Sequence, residues 1–300
     1  MKVLVTGSEG LIGSALCSLL ESCGHQAVRL DTRLAEGAVF RGDVRDRTLV
    51  RNAVSGCSGV VHLAAVSRVI WGEQNPALCR SVNEGGTETV LDEAVSRAGA
   101  WMMYASSREV YGECLPGLTP EDAPRLPINV YGVTKVTGEL KMAVARSKGG
   151  RTSVVRFSNV YGTTSDHADR VTPAFTRAAA EGRELRLDGP DHVFDFTYVH
   201  DVVKGVLLAV EALEAGESEL PDIHFVTGHG TDMRTVAELA VASGAPGARI
   251  VEGVPRNYDV AHFVGDPARA MAVLGWKAER LVDWGVPKLV SAFKAIANPA

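Results

Sequence analysis

Short apolar runs, each followed by residues at helical spacing, recur along the first half of the chain. Lys2-Val3-Leu4-Val5-Thr6 is apolar without alternation, the pattern of a strand buried on both faces. Gly7, Gly10 and Gly13 follow directly, and Ser14 to Leu20 then carries apolar residues at helical spacing. A second strand is expected over Ala27-Val28-Arg29-Leu30, ending in Asp31. Val39-Phe40 leads into Gly42-Asp43-Val44-Arg45-Asp46, where Asp46 suits the N-cap of a helix ending near Ala53. Gly59 to Leu63 runs into Ala64-Ala65 and counts as the fourth strand, Trp101 to Ala105 as the fifth, and Thr152 to Phe157 as the sixth. Helices are expected from Asn83 to Ala98 and from Tyr131 to about Lys148, with loops over Val66 to Pro76 and Pro116 to Pro127. Alternation of this kind over about 160 residues predicts an α/β fold, a doubly wound parallel sheet.

After Asn159-Val160-Tyr161-Gly162 the alternation loosens. Thr163 to Arg170 reads as a polar loop and Thr172 to Gly182 as a helix. Short extended pieces surround Leu185-Arg186-Leu187 and Val193-Phe194-Asp195-Phe196. Further helices are expected over Val199 to Ala212, Arg234 to Ala242, Asp266 to Leu274 and Trp284 to Ile296. The division that follows is a sheet domain over 1–160, with 197–226 packing back on it. Residues 161–300 then form mainly a smaller C-terminal lobe, expected to have no sheet of its own.

Composition narrows the class. Of 300 residues, 46% are hydrophobic and 22% charged, which excludes wholesale disorder. A net charge of -5, with no cluster of basic and aromatic residues, excludes a nucleic-acid interface. Cys17, Cys23, Cys57, Cys79 and Cys114 have neither disulfide-framework nor metal-ligand spacing, so no metal site is expected. No uncharged apolar span is long enough for a membrane, and the expected location is the cytoplasm.

Strand, glycine turn and helix, in that order, form the setting of a phosphate-binding loop. The glycines permit the turn and close approach, and the helix start at Leu11 and Ile12 offers unpaired N–H groups to a pyrophosphate. Asp31, about 18 residues beyond Gly13, suits a ribose diol and repels a 2′-phosphate, favouring NAD over NADP. Arg33 is the residue that argues the other way. Asp43 is placed to reach an adenine amino group. His62, between apolar neighbours, reads as a satisfied core histidine. Trp71 either lines a substrate pocket or packs under its loop. Tyr131 and Lys135, four apart, share a helix face, so the ammonium is expected to lower the phenol toward neutrality and make it a proton-transfer group. Ser106 reads as a backbone cap and Ser107 as a functional hydroxyl.

Taken together, the motifs resemble the extended short-chain dehydrogenase/reductase family, the nucleotide-sugar epimerases and dehydratases. The matching elements are the Gly7/Gly10/Gly13 loop, Asp31, Gly42-Asp43-Val44 and His62-Leu63-Ala64-Ala65. Asn83 with Gly86-Thr87, Ser106-Ser107 before Val110-Tyr111-Gly112, Tyr131/Lys135, and Arg156 with Asn159-Val160-Tyr161-Gly162 complete them. The resemblance implies a Rossmann sheet that binds NAD, with Val44, Leu63, Ala64, Ala65 and Asn83 among the cofactor contacts. It implies a lobe that binds a nucleoside diphosphate sugar, with Ser107, Arg108, Asn159 and Arg256 as substrate contacts, and a homodimer through a pair of long helices. Tyr131 would deprotonate a sugar hydroxyl while hydride passes to NAD, with Ser107 holding the oxygen.

Residues 108 and 109 bear on the reaction. Family dehydratases carry an acidic pair here. In this chain Arg108 replaces the acid and Glu109 matches the base, which favours a 4-epimerase working through a transient 4-keto sugar. The alternatives are a 4,6-dehydratase or decarboxylase using Glu109, and a non-enzymatic dinucleotide sensor. Glu109 equally suits a simple pairing with Arg108. Relatives usually carry Arg at the position of Phe194, where it helps bind the diphosphate. His192, Arg186 and His262 are the candidate substitutes.

Overall fold

The computed structural model describes residues 1–97, 99–217, 220–253 and 260–297. The chain opens with β1 (Lys2–Thr6), α1 (Leu11–Ser22), β2 (Gln26–Leu30), α2 (Arg47–Val54) and β3 (Gly59–His62). Short helices α3 (Val69–Gln74) and α4 (Pro76–Arg80) follow, joined through one wide π turn at Ser81–Gly86 to α5 (Thr87–Val95). Next come β4 (Trp101–Ser107), a 3₁₀ turn at Arg108–Val110, α6 (Val130–Ser147), β5 (Arg151–Phe157) and β6 (Asn159–Tyr161). The remainder comprises α7 (Val171–Ala180), β7 (Glu184–Asp188), β8 (Val193–Tyr198), α8 (Val199–Glu214), β9 (Ile223–Phe225) and β10 (Gly230–Asp232). It ends with α9 (Met233–Ala242), β11 (Arg249–Gly253), β12 (His262–Phe263), α10 (Ala268–Leu274) and α11 (Val282–Ala297).

A six-stranded parallel sheet in the order β2-β1-β3-β4-β5-β9 is the centre of the molecule. One face is covered by α1 and α8, through Leu16, Leu20, Val202, Val206 and Val210. The other is covered by α2, α5 and α6, through Val50, Val54, Val90, Ala94 and Met142. Burial on both faces is why β1 and β3 read as unbroken apolar runs. The stretch at Val39-Phe40, between the second and fourth strands counted in the sequence, forms no strand. Val39 is exposed, and the segment contributes only a bridge between Asp31 and Arg41.

The expectation that the later chain lacks a sheet is corrected. β8 pairs parallel with β6 and β12 and antiparallel with β10, and β7 pairs with β11. Aromatic and aliphatic side chains of β7, β8, α7, α9 and α11 form a separate core, including Phe175, Leu187, Phe196, Val236, Val286 and Phe293. Buried Asp195 on β8 ties this sheet to the central one. It accepts hydrogen bonds from the Thr227 and Gly228 amides, just beyond β9. Among the described residues, no helix is long and apolar enough to cross a membrane, and no group of His, Cys, Asp and Glu is arranged to hold a metal ion.

Candidate active site

A cavity of about 630 Å³ opens where the C-terminal ends of the central strands face the second sheet, the usual ligand position in an open α/β sheet. Its floor at β1 is built by glycine. Gly7 has φ +69°, and a Cβ there would lie 2.8 Å from the Ala64 amide nitrogen. A Cβ on Gly13 would lie 2.1 Å from the Gly7 carbonyl oxygen. Gly10 caps α1 without a side-chain hydrogen bond, so the first-turn amides at Leu11 and Ile12 receive no acceptor from a cap. These features fit a dinucleotide pyrophosphate.

Asp31, buried at the end of β2, accepts hydrogen bonds from the Glu9 amide at 3.0 Å and the Arg33 amide at 2.9 Å. The Arg33 guanidinium pairs with the same carboxylate at 3.4 Å. Asp43 and Val44 line the cavity, but the Asp43 carboxylate is held by the Arg45 amide and guanidinium, which lowers its pKa. Asp46 caps α2 through the Leu49 amide. Leu63, Ala64 and Ala65 form the wall beyond β3. His62 is the satisfied core histidine expected: it bonds to Thr6 at 2.7 Å and Thr87 at 3.0 Å, and burial pulls its pKa down to about 3.

Asn83 is placed differently from the expectation. It lies outside the cavity wall, and its side chain is committed to the Val66 backbone and the Thr134 hydroxyl. The side chain anchors the chain beyond β3 to α6. The Val66 to Pro76 segment is correspondingly not a loop throughout, because it contains α3. Gly72 packs that helix against α6, and Glu73 accepts the Val130 amide at 2.9 Å. Its tertiary anchors, rather than any period of its own, make it helical.

Ser107 ends β4, and Tyr131 and Lys135 lie on α6, all three in the cavity wall. Asn129 fixes the start of α6, accepting the Gly132 amide at 2.8 Å. Lys135 is buried, donates to the Ala105 carbonyl at 2.7 Å, and lies 5.7 Å from the Tyr131 ring centroid. Burial pushes the Tyr131 phenol up to about 12, opposed by a hydrogen bond with Ser107, and pulls the Lys135 amine down to about 8. The expected lowering of the phenol by Lys135 is therefore corrected for the protein alone. The amine's closest contact is the strand carbonyl, and desolvation dominates both groups. The expected backbone cap at Ser106 is corrected: its hydroxyl donates to the buried Glu139 carboxylate on α6 at 2.5 Å.

Glu109 is buried, and each of its oxygens has a partner. One oxygen accepts from Asn129 Nδ2 at 2.7 Å, and the other pairs with Arg108 at 3.0 Å. Arg108 Nε donates to Asn159 Oδ1 at 3.3 Å, and its guanidinium carbon stands 4.2 Å from the centre of the Phe194 ring. Of the proposed substitutes for a basic residue at 194, Arg186 is 73% exposed and pairs with Asp188, and His262 lies on β12 outside the cavity wall. His192 lines the cavity beside Phe194. Arg256 falls outside the described residues.

Across the cavity mouth, Arg68 pairs with Asp169 at 3.2 Å, and Trp71 meets His167 edge-on at 4.9 Å. Trp71 is thus a wall residue, partnered by a segment about 100 positions away. Asn129, Glu73, Arg68 and His167 were not singled out from the sequence. Only Asn129, a capping residue before a helix, carried a local signal.

Residues 3–226 match the model of the NAD dependent epimerase/dehydratase family. The UDP-glucose 4-epimerase of Corynebacterium glutamicum is 30% identical over 317 residues, covering 93% of this chain and 91% of the relative. The dTDP-glucose 4,6-dehydratase of Streptomyces niveus is 28% identical over 279 residues, covering 85% and 81%. The crystal structure of the UDP-glucose 4-epimerase of Thermotoga maritima with UDP-glucose superposes with a TM-score of 0.90 at 27% identity, covering 99% of this chain and 100% of that one. With the glycine cradle, Asp31 and the Ser107/Tyr131/Lys135 cluster on one parallel sheet, the chain belongs to the NAD-dependent epimerase/dehydratase family of extended short-chain dehydrogenases/reductases.

Proposed function

We propose that the protein is an NAD-dependent 4-epimerase of a nucleoside diphosphate sugar, and that the state of Glu109 carries this choice within the family. A lyase acting on the keto-sugar needs a carboxylate free to remove a second proton. Here both Glu109 oxygens are taken, by Asn129 and Arg108. An epimerase needs only a group that moves one hydroxyl proton and a group that holds the oxygen.

The Gly7, Gly10 and Gly13 turn, with Leu11 and Ile12, would hold the NAD pyrophosphate, and Asp31 the ribose diol. When bound, NAD supplies the hydride acceptor and a positive ring that offsets the desolvation of Tyr131. Tyr131, as its phenolate, would take the proton of the C4 hydroxyl as that carbon gives up hydride and its oxygen becomes a carbonyl. Ser107 donates to that oxygen and holds it in line. After the keto-sugar turns over, hydride returns to the opposite face and Tyr131 returns the proton, with no net redox change. Lys135, fixed on the Ala105 carbonyl, holds α6 and β4 in register beneath the phenol.

The test is incubation with UDP-, GDP-, CDP-, ADP- and dTDP-sugars, with products identified by NMR. The expected product is the C4 epimer. Tyr131→Phe should lose about 10²- to 10⁴-fold in rate with NAD retained, and Glu109→Gln should keep at least a tenth of wild-type turnover. A 4-keto-6-deoxy sugar or released carbon dioxide, abolished by Glu109→Gln, would replace the epimerase by the lyase. The reading includes a homodimer, supported by the exposed apolar side chains of Leu140 and Val144 on α6.

A further inference from the structure

We infer that Arg108 is the anion hook of the substrate site, binding an oxyanion of the nucleotide sugar through its free amino group. The inference rests on the proposed reading of the cavity as a nucleotide-sugar site and deepens it. Three contacts immobilise the guanidinium: Glu109 at 3.0 Å, Asn159 at 3.3 Å and the face of Phe194 at 4.2 Å. They use Nη2, Nε and the π face. Nη1 is buried and has no hydrogen-bond partner among the described residues. A buried donor of a charged group left without an acceptor is costly, and this one belongs to a side chain in the cavity wall. Asn159 accepts from Arg108 through Oδ1, so its Nδ2 remains to donate beside the same guanidinium.

The surroundings suit binding of an anion more than neutralisation of Glu109 alone. A surface arginine would satisfy Glu109 without a stacked aromatic. Here Phe194, reached from a different sheet, desolvates the cation and fixes its plane. The adjacent β8 position thus lends the site an aromatic platform, and the charge comes from the turn after β4. Two parts of a nucleotide sugar carry this chemistry, the diphosphate and a carboxylate on the sugar.

Calorimetric titration of the NAD-loaded protein separates the outcomes, using UDP, dTDP, UDP-glucose, dTDP-glucose and UDP-glucuronate as probes. Arg108→Gln leaves Glu109 buried without its cation, so the Arg108→Gln/Glu109→Gln double variant is measured alongside it. The expected result is a loss of about 10- to 100-fold in affinity in both variants, with NAD content unchanged. Equal loss on UDP or dTDP and on the sugars locates the anion as diphosphate. Loss confined to UDP-glucuronate locates it as a sugar carboxylate. Wild-type affinity in the double variant overturns the inference and leaves Arg108 as the counter-ion of Glu109. If wild-type protein binds none of these probes and none of the GDP-, CDP- and ADP-sugars, the nucleotide-sugar reading itself fails, and the hook with it.

Discussion

Lys135 shows how far a side chain's chemistry depends on what surrounds it. Its position relative to Tyr131 is set by helical spacing and was legible from five letters of sequence. Its charge behaviour was not, because desolvation and the Ala105 carbonyl are supplied by β4, some thirty positions earlier. Burial lowers the amine to about 8, against a reference near 10.4 in the unfolded chain. Below pH 8 both states hold the proton, and the fold carries the full cost of a buried ammonium. Between about pH 8 and 10 the folded state releases it first, so stability from this group rises with pH. Urea unfolding at several pH values should therefore show wild type gaining on Lys135→Met over that window. Parallel curves would mean that the ammonium is not destabilised by burial. Arg108 and Phe194 were equally legible as departures from a familiar pattern. Their stacking was not, since nothing in either local sequence says that a turn after β4 meets β8.

At the scale of elements, α6 must lie close to β4 for the phenol and Ser107 to share one wall. Glycine allows this: a Cβ on Gly132 would lie 2.5 Å from the Glu109 carbonyl oxygen, and one on Gly138 2.2 Å from the Tyr104 hydroxyl. Glu139 then clamps the pair from below. It accepts from Ser106, from Arg156 at 2.7 and 2.8 Å, and from Arg125 at 2.9 Å, while only 2% exposed. Removing one partner of a buried ion pair leaves the other charge uncompensated, so Glu139→Gln should cost about 3–5 kcal/mol in denaturant unfolding. A loss below about 1 kcal/mol would show that Asp222, already paired with Arg156 at 3.0 Å, suffices. The six parallel strands were mostly legible because burial on both faces writes continuous apolar runs. The second sheet was not. β6, β10 and β12 have two or three residues each, too few to express a period, and they exist because β8 offers them a ladder.

The whole molecule places its cavity between two sheets, with Arg68 and Trp71 reaching Asp169 and His167 across the mouth. In the cavity wall, Ser107 stands at the end of β4 and Tyr131 and Lys135 on the inner face of α6. The outer face of α6 leaves Leu140 52% and Val144 53% exposed, one turn apart and turned away from Tyr131 and Lys135. Paired about a two-fold axis, that face would cover itself with its own copy, the self-complementary arrangement usual in dimers. Sedimentation should therefore find wild type dimeric and the Leu140→Glu/Val144→Glu double variant monomeric, since opposed carboxylates cannot share an apolar seam. Because Leu140 and Val144 face away from Tyr131 and Lys135, the monomer should keep turnover within about tenfold of wild type. A monomeric wild type would remove the dimer proposal while leaving the site intact. A monomeric variant with lost turnover would show instead that contacts along α6 hold Tyr131 in place.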